Sequence, residues 1–145
     1  EQSADAALAL CATGLGTQPA ELLLRHTHQA LAHYQGPLLA DLTDAAWAIA
    51  PRERFRLRLQ RLLTTVCETL EPALGVEVTV DLCRRALECE PLSEPICRRL
   101  MQVLNGAGRG AEAIEVYQRS RTLIRAELKV EPSAATQELY QSSRP

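Results

Sequence analysis

The chain has 145 residues, a formal net charge of −2 and only 3 % aromatic residues, enough for one domain with a core of its own. No run approaches the roughly 18 uninterrupted apolar residues of a membrane span, and the beginning lacks the basic-then-apolar pattern of a signal peptide. A soluble, cytoplasmic chain without a membrane partner is therefore expected. Leucine and alanine dominate while strand formers cluster only at Val76–Val80, which points to an all-α domain.

Ser3 can cap a first helix reaching about Thr13, with Leu8, Cys11 and Leu15 on one side before Gly14 and Gly16 interrupt it. Thr17-Gln18-Pro19 restarts a helix that runs to about Tyr34, with Leu23, Thr27, Ala30 and Tyr34 inward. Gln35-Gly36-Pro37 stops it. Leu38-Leu39-Ala40-Asp41-Leu42 is an apolar connector that must tuck against the core, since exposing three leucines is costly. Thr43 or Asp44 is placed to cap a brief helix carrying Trp47, expected as a core plug rather than a ligand platform.

Pro51 opens the longest amphipathic pattern, in which Phe55, Leu59, Leu62, Val66 and Leu70 form one stripe. Arg54, Arg58 and Arg61 fall on another face; a solvated flank relieved by Glu53 is favoured there over a phosphate-binding stripe. Gly75 breaks this helix. Local propensity makes Val76–Val80 a strand, whereas periodicity at Val78, Leu82 and Ala86 makes it helical, and the period is followed. Pro91 ends that helix, and Ser93 caps the next, with Pro95 near its start and Ile96, Leu100 and Leu104 inward. Asn105-Gly106-Ala107-Gly108 supplies the turn before a helix from about Ala111 to Lys129, apolar at Ile114, Tyr117, Ile124 and Leu128. Ser133 caps a last short helix with Leu139 and Tyr140 inward, and a tail over residues 142–145 is expected to fray. About seven helices result.

Five cysteines, an odd number with no C-x-x-C pair, are read as reduced intracellular thiols that behave as small hydrophobes, not as zinc ligands. His26 and His33 lie seven apart on one helix but lack a third ligand in sequence reach, so no metal site is assigned. Phosphate loops, nucleophile elbows and H-E-x-x-H are absent, and the G-x-G steps at Gly14–Gly16 and Gly108–Gly110 follow no strand. The expectation is a non-enzyme without cofactors. Arginines crowd into residues 51–125, a mild basic bias too weak to mark a nucleic-acid binder.

An offset of thirty-four residues carries Val66 to Leu100, Leu70 to Leu104, Leu82 to Val116, Cys83 to Tyr117 and Ala86 to Ser120, which is the tetratricopeptide period. Ala113 stands where the two helices of such a hairpin touch, Tyr117 four later, and Pro91 after the second helix of the earlier copy. Residues 4–34 form a looser relative, separated by an insertion holding the connector and Trp47. The expected architecture is a tetratricopeptide-like right-handed superhelix of about three helical hairpins with a C-terminal capping helix.

Several runs together are more specific: YQGPLLADL at Tyr34–Leu42, Trp47, PRERFRLRLQRLL, ALECEPLSEPICRRLMQVL, GRGAEAIEVYQRSRTLIRAEL and VEPSAATQELY. In this order they resemble the bacterial transcriptional activator domain, over nearly the whole chain. That domain follows a winged-helix DNA-binding domain in SARP-type antibiotic regulators. Val76–Val80 departs from the family's usual charged helix start. The resemblance implies a single regulatory module, a piece of a longer protein, that contacts RNA polymerase, a second protomer in a homodimer, or its own DNA-binding domain. DNA would be reached only through that neighbouring domain. A scaffold repeat of a signalling protein without a DNA-binding domain is the alternative. Since the first helix of each hairpin in such arrays lines a concave groove, the repeat maps that groove onto Arg61, Thr64, Glu68, Arg98, Gln102 and Asn105, with Arg54 and Arg58 as a basic face. Two guanidinium groups there suit an acidic peptide.

Overall fold

The structure, a computed structural model, describes residues 17–32 and 46–144. These form six helices and no strand: α1 Thr17–Ala32, α2 Ala46–Leu74, α3 Val76–Cys89, α4 Glu94–Gly106, α5 Gly110–Leu128 and α6 Ala134–Ser142. The expected first helix and the leucine connector lie outside the described residues, as do His33 and Tyr34. The same holds for the side chains of Trp47, Phe55, Arg58, Leu59 and Leu70.

Burial explains why each segment is helical. In α1, Ala20, Leu23 and Thr27 are fully buried, spaced three and four apart, and the Thr27 hydroxyl is satisfied by donating to the Leu23 carbonyl at 2.9 Å. In α2, Leu62, Leu63, Val66 and Cys67 are fully buried along one face. The brief Trp47 helix and the helix expected to open at Pro51 are one continuous element, so Pro51 sits in its second turn. Ala46, Ala48 and Ala50, the best helix formers, carry the helix upstream of the proline.

The Val76–Val80 segment is helical, as its period indicates. Thr79, Val80, Leu82, Cys83 and Ala86 are its buried residues; Leu82 and Ala86 are inward as expected, Thr79 and Cys83 widen the stripe, and Val78 is only half-buried. Burial of this face outweighs the strand preference of three valines. Gly75, at φ 86° and ψ 176°, lets α3 start directly after α2. Ser93 occupies the N-cap of α4 with Pro95 in its first turn, but its hydroxyl makes no capping bond and is buried without a partner. In α5, Ala113, Tyr117, Ser120 and Ile124 are buried and Ile114 half-buried, whereas Leu128 is 54 % exposed. The helix ends there, with Lys129 in the left-handed region at φ 59°.

The repeat is visible in the packing. Helices α2, α4 and α6 lie side by side in one layer; α3 packs against α2 and α4, and α5 against α4 and α6. Helix α1 packs on α2 and α3. Three pairs related by the thirty-four-residue offset are buried in both copies, Val66 and Leu100, Cys83 and Tyr117, and Ala86 and Ser120, whereas Leu82 is buried and Val116 only half-buried. The core runs continuously from Leu23 through Leu62, Leu82 and Ile96 to Leu104 and Tyr117.

Candidate functional site

Three sets of polar contacts join neighbouring helices within the layers and define which faces stay open. In the first layer, the Arg99 guanidinium of α4 pairs with Glu71 and reaches the Cys67 carbonyl, tying α4 to α2. On its other side α4 meets α6 through Glu94. One carboxylate oxygen of Glu94 accepts from the Ser133 N–H at 2.9 Å, the Ser133 hydroxyl at 2.6 Å and the Thr136 hydroxyl at 2.5 Å. Arg98 completes the cluster, donating to the Thr136 hydroxyl at 3.1 Å. Desolvation would raise the Glu94 carboxyl, but these hydrogen bonds and the Arg98 charge outweigh it and hold it below the usual carboxylate range.

The end of α6 is fastened separately. Asn105 donates its side-chain amide to the Ser143 hydroxyl at 2.7 Å, and Tyr117 of α5 stacks on Tyr140 with ring centroids 4.1 Å apart. The Arg144 guanidinium lies 5.8 Å from the Tyr140 ring. A Cβ at Gly110 would come within 3.1 Å of the Ser143 carbonyl, so glycine permits this close approach. The helix expected to fray from residue 142 is thus helical through Ser142 and held at Ser143.

In the second layer, Arg109 at the start of α5 grips Glu112 and reaches Glu77 of α3 at 3.0 Å, while Arg84 of α3 pairs with Glu112 at 2.8 Å. The Arg109 hydrogen bonds hold the Glu112 carboxyl low. Because Glu77 meets Arg109 and Arg84 meets Glu112, α3 and α5 run in the same direction, with the start of α5 bridged to the first turn and the middle of α3.

The six expected groove residues therefore divide. Arg61, Glu68 and Gln102 are exposed on α2 and α4. Thr64 is half-buried, and its hydroxyl donates to the Gln60 carbonyl of its own helix. Arg98 and Asn105 are half-buried and held by α6, so they serve the seam between α4 and α6. Arg54 is exposed; the side chain of Arg58 lies outside the described residues. Sequence reasoning assigned Ser133 to a cap and gave Glu94 and Thr136 no role. Nothing in their spacing of thirty-nine and forty-two residues signals the cluster, which exists only because α6 folds back on α4.

The cysteines are apolar fillers in the described part. Cys67, Cys83 and Cys97 are buried and Cys89 half-buried, all as free thiols. The Cys67 and Cys83 sulfurs lie 3.0 Å apart between α2 and α3; that contact, then burial, pushes the Cys67 thiol up. Burial does the same to Cys97. Among the described residues no group of three or more His, Cys, Asp or Glu side chains is placed to hold a metal ion, and no helix is long and apolar enough to cross a membrane.

A two-layered array of paired helices with a thirty-four-residue repeat is a tetratricopeptide-like fold. Residues 4–144 match the bacterial transcriptional activator domain, and the chain belongs to that family. It is 34 % identical over 116 residues to the regulatory protein AfsR of Streptomyces coelicolor, a match covering 78 % of this chain and 11 % of that protein. The chain thus corresponds to about a ninth of that relative's length. Its fold is similar to that of Mycobacterium tuberculosis EmbR, solved in complex with a low-affinity phosphopeptide. The TM-score is 0.57 at 20 % identity, over 97 % of this chain and 36 % of the EmbR chain.

Proposed function

We propose that this chain is the non-catalytic protein-interaction module of a bacterial transcriptional activator, meeting its partner on the face of α2 and α4. The observation that carries this reading is the match of residues 4–144 to an activator-domain family. The exposed Arg61, Glu68 and Gln102, with Arg54 further along α2, offer the polar contacts. Arg54 and Arg61 have no ion-pair partner among the described residues, so their charges are free for an acidic surface of RNA polymerase, of a second protomer or of the activator's own DNA-binding domain. Thr64, Arg98 and Asn105 border this face, and the last two shape it by holding α6. DNA is reached through the neighbouring domain and not by this module, whose charge is near balance.

Biolayer interferometry against RNA polymerase holoenzyme, the activator's DNA-binding domain and the chain itself tests this. With at least one of them, Arg54→Ala with Arg61→Ala is expected to weaken binding about tenfold or more, since a charged hydrogen bond contributes about 1.5–3 kcal/mol. Absence of binding to all three, or affinity unchanged within about twofold, would overturn the assignment.

A further inference from the structure

The opposite face of the molecule carries a second feature. Helices α3 and α5 run parallel but do not pack on one another, because α4 lies beneath both. Beyond the ion pairs of Arg84 and Glu112 they leave a cleft of about 210 Å³. Leu100 of α4 is fully buried beneath, the half-buried Leu87, Val116 and Leu123 line the walls, and Pro91 lies at the far end. Exposing such half-buried apolar side chains around a concave space is unfavourable unless something fills it.

Two polar groups mark one wall. Ser120 is only 6 % exposed; the residue lines the cleft, but its hydroxyl oxygen is buried from solvent beside the Cys97 thiol. Arg119, next to it, is exposed and has no ion-pair partner among the described residues. Arg119 is thus the donor open to an anion. The facing wall on α3 carries Glu88, also exposed, which repels an anion there and so favours placing it on the α5 side. Arg84 shares the rim but already holds Glu112.

Size decides the occupant. Pockets for cofactors and metabolites run about 300–1,000 Å³, whereas one large side chain anchoring a protein interface needs less. We propose that the cleft between α3 and α5 is a docking point for a protein partner. It takes one large apolar side chain between Leu87, Val116 and Leu123, with the partner's adjacent carboxylate on Arg119. This contact lies on the other layer from the α2 and α4 face, so one module can hold two partners, or two parts of one partner, at once.

Titration of the 15N-labelled chain with N-acetyl-Phe-Asp-amide to about 20 mM, enough to fill a millimolar site, tests the proposal. Saturable shifts are expected at the amides of Leu87, Val116, Arg119, Ser120 and Leu123. N-acetyl-Phe-Asn-amide and N-acetyl-Ala-Asp-amide should each bind about fivefold more weakly or worse, lacking the charge or the anchor. Arg119→Gln, at an exposed position that holds no other residue, should bring the Asp probe down to the level of the Asn probe. Shifts that are absent or scattered elsewhere, an Asp probe no better than its Asn counterpart, or an Arg119→Gln variant that keeps the preference would each overturn it. Arg54→Ala with Arg61→Ala should leave the titration unchanged, which separates this result from the outcome on the other face.

Discussion

Glu94 is the residue on which the seam between α4 and α6 turns. Its carboxylate accepts three hydrogen bonds from residues about forty positions away. Glu94→Ala leaves the Ser133 and Thr136 donors without their acceptor and is expected to cost about 1–2 kcal/mol, reduced for partial exposure, in urea denaturation at neutral pH. Its folded-state pKa is depressed, so the contribution is fully present above the ordinary carboxylate value and is lost as pH falls through the depressed one. The difference between wild type and Glu94→Ala should therefore shrink below about pH 4.5. A difference independent of pH between 7 and the acid range would show that the carboxylate charge contributes nothing to the seam.

At the scale of elements, the junctions decide how neighbouring helices stack. Gly75 joins two long helices with a single residue, and its φ of 86° with ψ of 176° lies in a region almost confined to glycine. An added Cβ meets nothing within 4 Å, so substitution is not opposed by a clash. The cost of Gly75→Ala is purely that of the backbone, expected at about 1–3 kcal/mol by urea or thermal denaturation. A loss under about 0.5 kcal/mol would mean that the α2 to α3 turn relaxes easily to another conformation. Propensity alone misjudges the element that follows. Three valines in five residues read as strand, yet Thr79 and Val80 are buried only if the segment is helical, and Thr79 satisfies its hydroxyl on the Gly75 carbonyl at 3.1 Å.

Across the whole molecule the core is continuous from α1 to α5, so the buried thiols report on the entire array. Cys67 and Cys83 lie between the first-layer helix α2 and its neighbour α3, and Cys97 is on α4 beside Ser120 of α5. In a Cys11→Ser background, Cys89 is expected to react first with a disulfide reagent under native conditions. Cys67, Cys83 and Cys97 should then react together at the rate of unfolding. Early reaction of Cys67 and Cys83 ahead of Cys97 would instead show that the hairpin of α2 and α3 opens independently of the next.

The sequence by itself determined the helical class, the thirty-four-residue repeat and the buried set Leu62, Val66, Leu82, Leu100, Leu104 and Tyr117, because these depend on local periodicity that any reader of the chain can count. Family membership was legible for the same reason, in motifs kept in order. The roles of the polar residues were not. Arg98 and Asn105 stand at groove positions by arithmetic, yet α6 returns to occupy that side of α4, and the Glu94 cluster arises from this return. Arg119 and Ser120 become neighbours of Leu87 only because α4 holds α3 and α5 apart. Hydrogen bonds and clefts between helices depend on distances across tens of residues of chain, which only the packed array sets.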